Sequence, residues 1–405
     1  MSSAAGLYQS YAALLAGALG PIWAGAHASL VMPKGEKRKL RKLEAKDGKE
    51  DADEEEEDED EDVERLTRED AYWFPILGSC VLLGLFLLFK YVDKALLNKI
   101  LGWYLAAMAV AGLARSGVKL ARRVLGERRS RRLDKWRLKL TKNSNEHSTF
   151  SFTSLHLYCI PLAVALSASQ MYTGNWILSN LVALSFAFNA ISLLYLDSFA
   201  TGSILLAGLF VYDIWWVFGS KAVFGKGANV MVDVATSFEA PIKIVFPKDL
   251  ARGRDFTLLG LGDIVLPGVF LALALRFDYH LALKRASVPF RPSRAFPKPY
   301  FLTCFVAYIL GLATTISIIH TFRAAQPALL YLSPACILSV SLCAVVRGEW
   351  GEVWGYLDGE GDERERRERE EKEKKEKEKV GEKEGREEDA KDEPAGPVGE
   401  DATRE

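Results

Sequence analysis

With 405 residues, 49% of them apolar and 26% charged, the chain is long enough for two or three soluble domains, and its formal net charge is −1. The apolar residues nonetheless fall into long runs and the charged ones into separate blocks, so the net charge averages basic loops, acidic tracts and nearly uncharged spans. That segregation excludes an ordinary soluble protein and predicts an all-α polytopic membrane protein of about nine helices, each of about 20 residues and about 30 Å long.

The first apolar run, about residues 7–32, lacks a basic stretch before it and reads as a first transmembrane helix (domain 1–33) rather than a cleaved leader. A charged loop follows over 34–70, first basic with Lys34, Lys37, Arg38, Lys39, Arg41 and Lys42, then acidic over 51–62. Such blocks of like charge are expected to stay solvated and disordered. Spans two and three are expected at about 72–90 and 98–118, with Tyr72, Trp73 and Trp103 at interfacial depth. The next loop, about 119–148, is the most basic part of the chain, carrying Arg122, Arg123, Arg128, Arg129, Arg131, Arg132, Lys135, Arg137 and Lys139. Flanked by spans, it reads as an orientation signal and not as a nucleic-acid surface.

Spans four and five are expected at about 155–171 and 176–196, closing a region 71–196 that holds spans two to five. Span six, about 199–219, is followed by a long loop, about 220–256, and by span seven at about 257–275. A basic loop over 276–299 precedes span eight at about 300–319, and span nine, about 327–346, opens on Gln326-Pro327-Ala328-Leu329. Spans six to nine make up a region 197–350, and the tail 351–405, rich in Glu, Lys and Arg, is too poor in apolar residues to build a core. The five cysteines, Cys80, Cys159, Cys304, Cys336 and Cys343, all fall in expected spans and read as buried free thiols. No Asn-x-Ser/Thr sequon occurs.

Nine spans put the termini on opposite sides. The loops 34–70, 119–148 and 276–299 alternate correctly to share the cytosolic side, which makes the N-terminus and the 220–256 loop lumenal and the tail cytosolic. Against this, the 220–256 loop carries Lys221, Lys226, Lys243, Lys248, Arg252 and Arg254, a charge that long loops tolerate better than short ones.

Within these spans two acids stand out: Asp213, after Tyr212, and Asp263, in Gly260-Leu261-Gly262-Asp263. An ionised Asp at the centre of a membrane helix costs at least about 2.5–3.5 kcal/mol on insertion scales, so each needs a reason. Counted from the expected lumenal ends of spans six and seven, both lie about 9 Å deep at 1.5 Å per residue, and Pro327 lies near the same level. Two facing carboxylates share a proton, because like charges in a low dielectric cannot both ionise easily. Such a pair suits peptide hydrolysis: the ionised member takes a proton from water while the protonated one donates to the scissile carbonyl. No metal or cofactor is needed, and His27, His147, His156, His280 and His320 show no ligand spacing.

The neighbours carry secondary readings. Gly260 and Gly262 clear side chains from beside Asp263 so that another backbone can approach, or else they serve small-residue helix packing. Tyr212 reads as a hydrogen-bonding or a packing residue, Pro327 as a first-turn proline, and Pro267 and Pro334 as bends. Residues 220–227 imitate a phosphate loop without its required Ser or Thr, which excludes nucleotide binding. From the acids alone, a proton-coupled transporter is as good a reading as a protease.

Taken together, Tyr212-Asp213, Gly260-Leu261-Gly262-Asp263 and Gln326-Pro327-Ala328-Leu329 resemble the three motifs of the GxGD intramembrane aspartyl proteases, in the same order and on matching spans. The stretch Ser237-Phe238-Glu239-Ala240-Pro241-Ile242-Lys243 and residues 326–336 are similar to the signal peptide peptidase branch rather than to presenilin. The resemblance, over about 72–350, implies a presenilin-like helical fold, catalytic Asp213 and Asp263, and an active site shaped by Gly260, Gly262, Pro327, Ala328 and Leu329. Gln326, Leu261 and Tyr212 belong to the same motifs. It further implies an endoplasmic reticulum enzyme that cleaves remnant signal peptides and type II-oriented membrane segments. Its partners would be those peptides, membrane lipid, further copies of itself and membrane quality-control factors, with no nucleic acid. The signal-peptide-peptidase-like proteases with other membrane substrates, and a membrane chaperone that holds spans without cutting, are the alternatives.

The sequence departs from the family pattern at residues 220–228, which look inserted, in the acidic stretch 51–62 and the loop 119–148, and in a tail without a dilysine ending. The β-branched and aromatic segment Ile242-Lys243-Ile244-Val245-Phe246 is expected to pair as a strand with an unwound substrate.

Overall fold

The computed structural model describes residues 4–46, 64–126, 135–142, 145–220, 234, 241–248, 256–322 and 326–359. The acidic stretch 51–62, residues 221–228 of the expected insertion and the tail from 360 onward lie outside them. The chain divides into two compact units, one of residues 1–31 with 54–358 and one of 32–53 with 359–405.

In the larger unit, α1 (Ala4–Ala28) is followed by β1 (Glu64–Leu66), α3 (Arg68–Tyr91), α4 (Lys94–Leu125), a hairpin of β2 (Lys135–Lys142) and β3 (Asn145–Thr153), α5 (Ser154–Thr173) and α6 (Trp176–Leu193). After β4 (Leu194–Leu196) come α7 (Phe199–Ile214), continued by a π-helical turn (Trp215–Gly219), then β5 (Lys243–Pro247), β6 (Phe256–Gly260), α8 (Gly262–Arg285), α9 (Pro299–Phe322), α10 (Leu329–Arg347) and the short α11 (Trp350–Trp354). In the smaller unit the described element is α2 (Lys34–Lys46).

Tight connections between helices are made by local capping. Thr67 and Asp70 form a reciprocal capping box that starts α3, Asp93 caps Ala95 N–H at 3.1 Å to start α4, and Asn175 caps Ile177 N–H at 2.9 Å to start α6. Each side-chain oxygen satisfies an N–H that the first helical turn leaves without a partner. Gly174, at φ 59°, gives α5 the left-handed ending that reverses the chain within two residues.

Eight helices among the described residues are long and apolar enough to cross a membrane. One of them, α8, is buried at every residue from Pro267 to Tyr279 and packs on α1, α6, α7, α9 and α10. Two glycines allow these close approaches: a Cβ at Gly268 would lie 2.6 Å from Ile191, and one at Gly202 would lie 2.7 Å from Phe270. The outer helices α3 and α4 expose most of their apolar side chains, the pattern of a lipid-facing wall.

Several expectations need correction. The expected first span, α1, is a 25-residue helix, less apolar than the eight because Gln9, Ser10 and His27 stand among its Ala and Gly. The expected disordered loop 34–70 begins as a helix, α2, whose Lys, Arg, Leu and Glu are good helix formers, and Lys39 pairs with Glu36 at 2.6 Å. It ends in β1, which pairs in parallel with β4. The basic loop 119–148 carries β2 and the start of β3, a hairpin that runs on to Thr153, with Arg122 and Arg123 in the last turn of α4. All five cysteines are free, yet only Cys304 and Cys336 are buried, while Cys80 faces outward from α3.

The boundary of the expected tail moves from 351 to 359, because Val353 is fully buried and Trp354 and Tyr356 pack against the core. Asp358 ends this segment with its carboxylate 2.7 Å from Arg276, its N–H donating to Asp197 O at 2.7 Å and its carbonyl accepting from Arg65. Finally, span seven begins as a strand, β6, and becomes helical only at Gly262.

Candidate active site

Asp213 lies near the end of α7, almost fully buried, one residue before the last of its α-helical residues. The π-helical turn that follows adds a residue to the helical repeat and redirects the side chains beyond it. Trp216, in that turn, donates to Ser79 Oγ at 3.1 Å, and Ser79 in turn donates to Pro75 O at 2.8 Å, which ties α3 to α7 just past the acid. Tyr212 packs beside the Trp216 ring, and its own ring lies 3.7 Å from where a Cβ on Gly78 would stand. The structure therefore gives Tyr212 a packing role between α3 and α7.

Asp263 is the second residue of α8, where the chain turns from strand to helix. Leu261 makes that turn: its N–H extends the strand pairing to Ile242 O at 3.0 Å, and its carbonyl accepts from Ile264 and Val265 N–H. The carboxylate of Asp263 folds back over Gly260, where a Cβ would come within 3.6 Å of Oδ2. A Cβ at Gly262 would meet nothing within 4 Å. The glycines thus leave open space beside the acid rather than a site of close backbone packing.

Pro327, Ala328 and Leu329 are buried at the start of α10, with Gln326 half-buried just before them. Proline enters a helix without wasting an N–H, and the first N–H groups behind it have no partner inside the helix. One of them, Leu329 N–H, donates to Asp213 Oδ2 at 3.3 Å. Asp263 lies within electrostatic reach of Asp213. Elements 116 residues apart in sequence thus meet at one acid, Asp213. A pair of carboxylates held by different helices, next to open space, can bind a water molecule and exchange protons with it.

Three polar residues that sequence reading missed complete the surroundings. Tyr308 on α9 donates its hydroxyl to the backbone carbonyl of Asp263 at 3.2 Å. Asn180 on α6 donates to Val245 O at 2.7 Å and accepts from Val245 N–H at 2.9 Å, gripping β5 as a neighbouring strand would. Asp278, a buried acid on α8, accepts from Tyr300 and Phe301 N–H at 3.2 and 2.8 Å, and so caps α9. Asp278 escaped notice because span seven was ended at 275; the other two carry no signature within an apolar run. Among the described residues no group of three or more His, Cys, Asp or Glu is disposed to hold a metal ion.

β5 and β6 pair antiparallel, Lys243 opposite Gly260 and Val245 opposite Leu258. Asn180 occupies both backbone groups of Val245 on one edge, so in the alternating antiparallel pattern Val245 and Leu258 are a pair without mutual hydrogen bonds. Leu258 therefore points its own N–H and carbonyl away from β5, along the edge of β6 that no described strand covers. The expectation that Ile242 to Phe246 receives a substrate strand meets an obstacle, since β5 is already flanked on both sides.

A family model described as signal peptide peptidase matches residues 58–360. A signal peptide peptidase of Mus musculus is 38% identical over 363 residues, covering 88% of this chain and 85% of the relative. That of Homo sapiens is 40% identical over 301 residues, 72% of this chain and 74% of the relative. A probable intramembrane protease of Schizosaccharomyces pombe is 34% identical over 297 residues, 73% and 85% of the two chains.

Proposed function

The chain belongs to the signal peptide peptidase family of intramembrane proteases, and from that premise we propose that it is an aspartyl endopeptidase whose catalytic pair is Asp213 and Asp263. The observation that supports this reading is the hydrogen bond by which Leu329 N–H, at the buried start of α10, holds Asp213 on α7, with Asp263 on α8 within electrostatic reach of it. With one proton shared between the acids, the ionised member takes a proton from a bound water, which attacks the scissile carbonyl. The protonated member donates to the carbonyl oxygen and later to the leaving amine. Leu329 N–H, as a fixed donor, orients Asp213 for this exchange. Pro327 and Ala328 set the helix start that presents it, and Gly260 and Gly262 keep the approach to Asp263 open.

A helical substrate buries its scissile carbonyl in its own hydrogen bonds and must unwind to be cut. We propose that the unwound segment adds as a strand to the open edge of β6, which ends at Gly260, three residues before Asp263. The substrate class is remnant signal peptides and type II-oriented membrane segments, at the endoplasmic reticulum membrane where such segments are released. The N-terminus is lumenal and the C-terminus cytosolic, in keeping with the basic loops. Membrane lipid, further copies of the chain and membrane quality-control factors are its proposed partners.

The test is purified protein in detergent with a model signal peptide. Wild type cleaves it, and Asp263→Ala and Asp213→Asn each reduce turnover to background while keeping the helical fold. Turnover that survives either substitution would overturn the assignment, as would solute uptake into liposomes that is lost with the same substitutions.

A further inference from the structure

We propose that Tyr308 is a positioning residue for Asp263, its hydroxyl replacing a backbone donor that Pro267 withholds; this rests on the catalytic role proposed for Asp263. In an α-helix the carbonyl of Asp263 would accept from the N–H of residue 267. That residue is Pro267, which has no N–H and whose ring crowds the carbonyl four residues earlier. The proline is itself buried, inside the most buried of the described helices, where a carbonyl without a partner is costly. Into this gap the fully buried Tyr308 on α9 extends its hydroxyl, donating to Asp263 O at 3.2 Å.

The pairing does more than satisfy a carbonyl. Asp263 sits in the first turn of α8, where helical hydrogen bonds are fewest and the backbone is least constrained. An unpaired carbonyl on the same residue as a water-activating carboxylate would also compete for the proton of that water or for the N–H of a bound peptide. Tyr308 removes this competitor and fixes the backbone from the α9 side, while the carboxylate rests over Gly260. Tyr308 itself has little freedom, packed in the main core with Leu312, Leu332 and Cys336. Pro267, which from sequence reads as a simple bend, is the other half of the device.

Positioning errors of about 1 Å reduce turnover by about 100-fold, whereas substrate affinity depends on remote contacts. Tyr308→Phe is therefore expected to lower kcat by about 10- to 100-fold with KM within about twofold, in a protein with unchanged helical content. Pro267→Ala returns the ordinary N–H to the Asp263 carbonyl, so adding Tyr308→Phe to Pro267→Ala should cost less than about threefold in kcat. The experiment measures kcat and KM for wild type, the two single variants, the double variant and Asp263→Ala. Loss of kcat in Tyr308→Phe with rescue in the Pro267→Ala background supports the inference. An unchanged kcat in Tyr308→Phe, or an equal loss in both backgrounds, overturns it and leaves Tyr308 a packing residue. Cleavage by Asp263→Ala would instead overturn the proposed function itself.

Discussion

Asp213, Asp263 and Asp278 all lie in the inner helices, and their partners separate their roles. Asp278 accepts two backbone N–H groups from the first turn of α9, the arrangement of a cap, whereas Asp213 accepts one from the start of α10 and Asp263 lies over Gly260, within electrostatic reach of Asp213. Asp278→Ala is accordingly expected to destabilise the fold by about 1–2 kcal/mol, read as a lower thermal midpoint, with cleavage per folded molecule within about twofold of wild type. Asp213 and Asp263 stand out in the sequence because an ionisable group in an apolar run is expensive wherever it points. Tyr308 and Asn180 were not, since their partners lie 45 and 65 residues away and neither side chain is costly enough in a membrane helix to draw attention.

At the scale of elements, the run Phe256-Thr257-Leu258-Leu259-Gly260 is as apolar as the helix that follows it, so hydropathy merged the two and only the pairing with β5 separates them. The difference matters, because a strand leading into Asp263 offers an open edge and a helix does not. Leu258→Pro removes the outward N–H of β6 and is expected to slow cleavage of a signal peptide by at least about tenfold, while Leu258→Ala, which keeps that N–H, has a small effect. Steady-state rates on one peptide distinguish the two.

A second element-level device lies at the far end of α10. Burial alone would raise the Glu349 carboxyl, but hydrogen bonds from Arg347, Tyr300 and Arg285 outweigh it and hold it at about 2. A lowered folded-state value contributes stability above the ordinary 4.5 that is lost as pH falls towards 2. Unfolding followed from pH 6 to pH 2 should show this loss, and Glu349→Gln should remove that part of the pH dependence.

For the whole molecule, hydropathy located eight of the membrane-crossing helices to within a few residues at most ends, because lipid exposure and length impose a signal that tertiary packing cannot hide. What it did not reveal is which helix is central. The burial of α8 comes from Gly268 and its small neighbours meeting α1 and α6, a matter of shape rather than composition. The direction of insertion depends on α1 as well, since it fixes whether the termini lie on the same side. An Asn-x-Thr sequon placed ahead of α1 should be glycosylated in microsomes and one placed at 143–145 should not; the opposite pattern would invert the proposed topology.

The most direct measurement is an experimental structure of the protein bound to a non-cleavable peptide whose scissile carbonyl is replaced by a hydroxyl-bearing carbon. Asp213 and Asp263 are predicted to lie on either side of that hydroxyl, each about 3 Å from it, with the peptide extended along the open edge of β6. A hydroxyl in contact with only one acid or with neither would contradict the shared chemistry of the pair.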